Sequence, residues 1–121
     1  MQTTTPLQHM EALFSAFAAG DTATMVAGWH EGAQWHPVTP GGPWTGPKTR
    51  DEYFGEVLRS WAADRPDYSI HDVQLHEVGG LVVAGLTTSA GRGVMVFRVV
   101  DGKIAECWAI NANGRDSKDG F

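Results

Sequence analysis

Three short pairs, Gly79-Gly80, Ala90-Gly91 and Asp101-Gly102, punctuate residues 68–111 at nearly equal intervals. Pairs of this kind suit tight hairpin turns, and the intervening segments are rich in β-branched, aliphatic and aromatic side chains, so the second half of the chain is constrained to four strands of an antiparallel meander. With two residues in each turn, Val78 opposes Leu81, Ser89 opposes Arg92 and Val100 opposes Lys103. Side chains alternate along a strand, so this register predicts one almost wholly apolar face. It carries His71, Val73, Leu75 and Glu77, then Val82, Ala84, Leu86 and Thr88, then Gly93, Met95, Phe97 and Val99, and finally Ile104, Glu106, Trp108 and Ile110. The reverse face, with Arg92, Val94, Val96, Arg98, Lys103, Ala105 and Cys107, is mixed in polarity. Helices should pack on the first face, and a second subunit can cover the other around Val94, Val96 and Ala105, giving a homodimer.

The first half supplies those helices. Thr5-Pro6-Leu7-Gln8 combines an N-cap hydroxyl, a proline at the first helical position and a glutamine placed to close a capping box. Leu7, Met10, Leu13, Phe14 and Phe17 then form one apolar stripe that ends before Gly20. Asp21 can cap a shorter second helix carrying Met25, Val26 and Trp29. A short strand follows over residues 34–38, and residues 39–43 are too rich in proline and glycine to be anything but a loop. Thr49-Arg50-Asp51-Glu52 is a second capping box; Tyr53, Phe54, Val57, Leu58 and Trp61 extend it as an amphipathic helix that should finish before Pro66. The expected fold is therefore α+β: one domain over residues 1–121, with residues 1–5 and 113–121 as loose ends.

Composition excludes several partners. The formal charge is -5 and the nine Lys and Arg residues are scattered singly, so no positive groove is available to neutralise phosphates, and nucleic acid is not an expected partner. Cys107 is the sole cysteine, which rules out an intrachain disulfide and a cysteine-rich metal site and fits a reducing cytoplasm. No stretch approaches the roughly 20 apolar residues of a membrane span, and residues 1–6 lack the pattern of a secretory leader.

The order of elements and three phrases, FAAGD at 17–21, GPWTGPKTRDEYF at 42–54 and VFRVVDGKIAECW at 96–108, resemble the nuclear transport factor 2-like superfamily, and within it the SnoaL-like group that includes polyketide cyclases. The resemblance covers nearly the whole chain. It implies a cone-shaped α+β barrel with a deep pocket between the helices and a concave sheet, usually in a dimer. In relatives the closing strand commonly reads Glu-His-Trp, followed by an aspartate one or four residues after the Trp; here those positions are Cys107, Ala109 and Ala112. An aspartate near this strand looks like the general acid or base of the cyclases, and that group is not matched here.

Other residues can carry proton transfer. The derived register sets Glu106 between Ile104 and Trp108 on the apolar face, where desolvation would raise its proton affinity towards neutrality; its alternative is a rim carboxylate paired with an arginine. His71, opposite Thr88 in that register, titrates in the useful range, and His36 can face the same cavity; either can equally be a structural histidine. His30 suits a helix C-terminus. Three histidines and Glu106 form no recognised ligand spacing, so neither a metal nor a cofactor is expected. Trp29, Trp35, Phe54, Met95, Phe97 and Trp108 are the candidate walls of a pocket for a small hydrophobic molecule. The leading reading is a cofactor-independent enzyme catalysing proton transfer (cyclisation, isomerisation, elimination or hydrolysis) on a hydrophobic carbonyl-type metabolite. The alternatives are a noncatalytic binding domain, favoured if the cavity is apolar with Glu106 and His71 outside it, and a structural dimerisation protein whose cavity is filled by its own tryptophans.

Overall fold

Side chains that satisfy free N–H groups fix where the helices start. In the computed structural model, which describes residues 5–38, 46–63, 69–89 and 91–111, α1 (Pro6–Ala18) opens on a reciprocal capping box. Gln8 donates its backbone N–H to Thr5 Oγ1 at 3.1 Å, and Thr5 donates its own to Gln8 Oε1 at 3.0 Å. Leu7 N–H reaches Glu77 Oε1 at 3.2 Å, which ties the positive end of the helix to a carboxylate on the sheet. Gly20, at φ 72°, ends α1, and Asp21 then caps α2 (Thr22–Ala27), accepting the Thr24 N–H at 3.2 Å and its hydroxyl at 2.6 Å.

Trp29 does not continue α2 as the periodicity predicts. It opens β1 (Trp29–Pro37), a strand longer than the one expected over 34–38. The cause is tertiary: the carbonyl of Gly28 accepts the Ile104 N–H at 2.9 Å and the His9 Nε2–H at 3.0 Å, so the last strand captures the chain as soon as the helix stops. A short β2 (Lys48–Thr49) runs antiparallel to β1 and leads into the second capping box, in which Thr49 and Glu52 exchange bonds of 2.9 and 3.2 Å. The helix that follows is one continuous segment with a change of winding: α3 (Arg50–Glu52), a π-helical turn (Tyr53–Val57) and α4 (Leu58–Ala63).

The expected meander is present as β3 (Ile70–Val78), β4 (Leu81–Thr88), β5 (Gly91–Val100) and β6 (Lys103–Asn111). Both residues of the first turn, Gly79 and Gly80, and both of the last, Asp101 and Gly102, have positive φ, between 51° and 87°, the geometry that matches strand twist. The sheet has the order β2-β1-β6-β5-β4-β3, and β1 joins β6 in parallel, so the fold is α+β with one mixed six-stranded sheet. The sheet is not closed; β2 and β3 are its free edges, which corrects the barrel implied by the family resemblance.

Register decides which side chains enter the core. Val78 pairs with Leu81 and Val100 with Lys103 as expected, but Thr88, not Ser89, turns the middle hairpin by pairing with Gly91. That slip spans two residues in total register and leaves every face assignment of β4 and β5 intact: Val82, Ala84, Leu86, Met95 and Phe97 are all buried. Two bulges have the opposite consequence. In β6 the pairing steps from Val99 with Ile104 to Arg98 with Glu106, so Ala105 is an extra residue and the phase inverts beyond it. In β3 the pairing steps from Ile70 with Thr88 to Asp72 with Thr87, and His71 is the residue left over. Met10 and Leu13 of α1, Trp29 and Trp35 of β1, Tyr53 and Val57 of the π-helical turn, and the buried face of the sheet form one hydrophobic core. Among the described residues no helix is long and apolar enough to cross a membrane. The expectations for residues 1–4, the loop at 39–43, the helix end near Pro66, Ala112 and the tail from 113 lie outside the described residues.

Candidate functional site

The helices cover the buried face of the sheet without filling the space above it. Met10, Leu13, Phe14 and Phe17 of α1, Met25 of α2 and Trp29 of β1 form one side of a cavity. Tyr53, Phe54, Val57 and Leu58 form the second side, and Ile70, Leu86, Met95, Phe97 and Ile104 of the sheet form the floor. The empty space, with the open solvent at its mouth included, is about 710 Å³. None of these lining side chains is ionised at neutral pH, and Tyr53 is the only one that carries an oxygen.

An aromatic cluster stiffens the wall at Tyr53. Its ring stacks on Trp29 at 5.2 Å and 21° and on Trp35 at 5.0 Å and 30°. Phe54 meets Trp29 edge-on at 5.5 Å and Tyr53 at 5.1 Å, and across the cavity Phe14 meets Phe97 edge-on at 6.1 Å. These are the offset and T-shaped geometries that the ring quadrupole favours. The π-helical turn makes the arrangement possible: it directs Tyr53 and Val57 into the core while Phe54 and Leu58 pack against it. Such turns recur at functional sites. Trp35 is fully buried, and its indole N–H has no hydrogen-bond acceptor among the described residues.

Polar chemistry is gathered on the other side of the sheet. Glu106 Oε1 accepts from Arg98 Nε at 2.9 Å and Nη2 at 2.7 Å, and its Oε2 accepts from His36 Nε2 at 2.9 Å. A carboxylate in this setting is an acceptor only, so the His36 proton on this bond sits on Nε2. The His36 ring stacks on Trp108 at 5.3 Å and 13°. The bonds from Arg98 and then His36 hold the Glu106 carboxyl below the ordinary glutamate value of 4.5, more than offsetting the partial desolvation that pushes the other way. Glu106 is therefore a clamped carboxylate and not the proton-retaining acid expected from a desolvated site.

The structure separates the sequence candidates into three groups. Trp29, Phe54, Met95 and Phe97 line the cavity as expected. Glu106, Trp108 and His36 come together on the outer face, a correction for Glu106 and Trp108 that follows from the bulge at Ala105. The same inversion turns Cys107 inward; it is fully buried, and burial pushes its thiol well above the usual 9.0. His71 is exposed at its own bulge, with Ile70 in the place opposite Thr88. Trp35 stands behind Tyr53 and does not line the cavity. His30 lies on β1, where Nε2 donates to the Val100 carbonyl at 2.6 Å, and is not at a helix end. Sequence reasoning did not single out Tyr53 as a cavity residue. The signal was its spacing of four from Val57, parallel to that of Phe54 and Leu58, together with its place among the aromatic residues.

Comparison with known proteins agrees with this geometry. The profile of the SnoaL-like domain matches residues 10–107. A protein of unknown function with a cystatin-like fold from Xanthomonas campestris superposes with a TM-score of 0.79 at 22% identity, covering 97% of this chain and 99% of that one. An NTF2-like protein from Burkholderia thailandensis gives a TM-score of 0.72 at 26% identity over 90% of each chain. IdmH from Streptomyces antibioticus, a candidate polyketide cyclase, gives 0.66 at 28% identity, covering 87% of this chain and 90% of that one. No curated protein sequence matches.

Proposed function

Because the chain belongs to the SnoaL-like domain family, we propose that it binds one small, uncharged, hydrophobic molecule in the cavity between its helices and sheet. The absence of an ionised group from the described lining carries this reading, since a charged ligand would lose its hydration against those side chains with no opposite charge among them to receive it. The neutral fluorophore N-phenyl-1-naphthylamine tests it. The protein should bind the dye saturably, with emission enhancement as the readout, and Met95→Trp, which adds bulk to the cavity floor, should weaken binding at least about tenfold through overpacking. Absence of saturable binding to folded protein, or equal binding by M95W, sinks the reading.

Proton transfer on a hydrophobic carbonyl-type metabolite, whether cyclisation, isomerisation, elimination or hydrolysis, is the second reading. It is favoured by the 28% identity to IdmH. In that reading the proton is exchanged away from the cavity, at the outer-face cluster by Glu106 with His36 or at the exposed His71. We also propose that the outer sheet face, around Val94, Val96 and Ala105, is where two copies associate. These three apolar side chains are half-buried on a single chain and would be covered further by a partner. Sedimentation equilibrium should give twice the chain mass at micromolar concentration; a monomer throughout the accessible range refutes the dimer.

A further inference from the structure

We propose that the open edge of β3 pairs with the β3 edge of a second copy of this chain, antiparallel and centred on Gln74, so that two sheets join into one. This goes beyond the cavity reading and does not depend on it. β3 ends the sheet on one side, and no described strand pairs with its outer rim. Along it Asp72, Gln74 and His76 are exposed, while Val73 and Leu75 are half-buried against the core. A strand edge with unpaired N–H and C=O groups is a template for another strand.

The turn shows which backbone groups face that edge. Gly79 and Gly80 both have positive φ and Val78 pairs with Leu81, so the two-residue hairpin makes this a hydrogen-bonded pair. Bonded pairs alternate along an antiparallel ladder, so His76, Gln74 and Asp72 spend their backbone groups on Val83, Gly85 and Thr87 of β4. Those of Val73 and Leu75 point outward. Centring on Gln74 sets Val73 against the partner's Leu75, so the outward groups bond to one another and the apolar face continues across the junction.

The same register sets Asp72 against the partner's His76, and by symmetry does so twice. An imidazole N–H donates to a carboxylate whether or not the ring is charged, and opposite polarity across such a pair stabilises it. Moving the centre to Val73 sets Asp72 against Gln74, and moving it to Leu75 sets Gln74 against His76; both lose the match. Asp72 Oδ2 also accepts from Gln74 Nε2 at 3.2 Å, which keeps the carboxylate beside the centre of the pairing. The bulge at His71 limits the contact to residues 72–76. The other free edge, β2, spans only Lys48–Thr49, so the joined sheet closes at two copies. This contact is short and open to water, which makes it weaker than association through the outer face and an addition to it at higher protein concentration.

Disulfide trapping captures a contact of this kind. Gln74 meets its own counterpart in a non-bonded pair, where Cα atoms lie about 4.5 Å apart, inside the range of roughly 4.4–6.8 Å that a disulfide spans. Cys107 is fully buried and does not compete. Under mild oxidation Gln74→Cys should give a disulfide-linked dimer at least about tenfold faster than Glu31→Cys, an exposed position on β1. Adding Asp72→Lys to Q74C should slow the link at least about threefold, and adding Asp72→His with His76→Asp should restore it, since the exchanged pair is again complementary. Adding Val96→Arg should leave the rate unchanged, because the edge contact does not use the outer face. A Q74C rate no higher than that of E31C, or one indifferent to D72K, overturns the pairing. Loss of the link in V96R would trace it to the outer face and overturn the edge contact as well. All of the substituted β3 positions are exposed, and urea unfolding of each variant checks that the fold is kept.

Discussion

The two faces of the sheet are built from the same strands and use them for different ends. On the helix side, Val82 and Ala84 are buried, and Leu86, Met95, Phe97 and Ile104 present hydrocarbon, thioether and ring surface to a cavity whose described lining carries no charge. On the other side, Arg98, Glu106, His36 and Trp108 form a connected group in which both carboxylate oxygens of Glu106 are held by hydrogen bonds and the His36 and Trp108 rings stack. The groups capable of acid–base chemistry are thus also the groups whose hydrogen bonds are already committed to one another. That contrast favours binding in the cavity and structural or assembly work on the outer face, and it makes the two faces respond differently to mutation.

Two tryptophans measure the contrast most directly. Trp35 is fully buried and stacked on Tyr53, so Trp35→Ala should lower unfolding free energy by about 3–5 kcal/mol, the range for removing a large aromatic side chain from a core. Trp108 is half-buried and stacked on His36, so Trp108→Ala should lose about 1 kcal/mol. Urea unfolding with the slope checked for each variant distinguishes them. The small loss at Trp108 is the expectation for the monomer; in the outer-face dimer proposed above, a second copy that reaches Trp108, the cross-strand partner of Val96, would bring the two losses closer together.

How the sequence led to these faces is instructive in its errors. Capping boxes at Thr5 and Thr49, the apolar stripe of α1 and the turns at Gly79-Gly80 and Asp101-Gly102 are local signals, and each is where local chemistry puts it. The middle hairpin turned two register units away from expectation, and nothing changed face, because side chains alternate with a period of two. A single extra residue at Ala105 carried Glu106, Cys107 and Trp108 to opposite sides, and another did the same to the surroundings of His71. Bulges leave no composition mark of the kind glycine leaves at a turn; their cause lies in neighbouring strands, here the parallel pairing of β6 with β1, which aligns Glu106 with Gln34 and Trp108 with His36. The cavity walls were legible because they depend on helical periodicity and on β4 and β5, which carry no bulge between them. The acid–base site depended on β6, whose phase beyond Ala105 could not be counted from its turn.

The smallest expected effect is the most specific to the outer face. Glu106→Gln keeps the side-chain volume but removes the charge that Arg98 and His36 bind, and because the Glu106 side chain is 24% exposed the loss should be about 1 kcal/mol or less at neutral pH. Its pH dependence identifies the cause. The folded carboxyl is held below the ordinary 4.5, so the unfolded chain takes up a proton first as pH falls; the stabilisation is whole above that value and drains away as pH drops through the lower folded value. Parent and E106Q stabilities, followed by urea unfolding from about pH 7 to about pH 3, should therefore converge on the acid side and run parallel on the neutral side. Binding of N-phenyl-1-naphthylamine should be the same in both at pH 7, since the cavity and this carboxylate lie on opposite faces. A difference that persists unchanged to the lowest pH would mean that glutamine disturbs packing and not charge. A loss of dye binding in E106Q would show that the two faces communicate, and the separation of binding from acid–base groups would no longer hold. If a converted substrate is found and E106Q retains the fold and the affinity while losing turnover, the outer cluster is catalytic and the proton-transfer reading replaces simple binding.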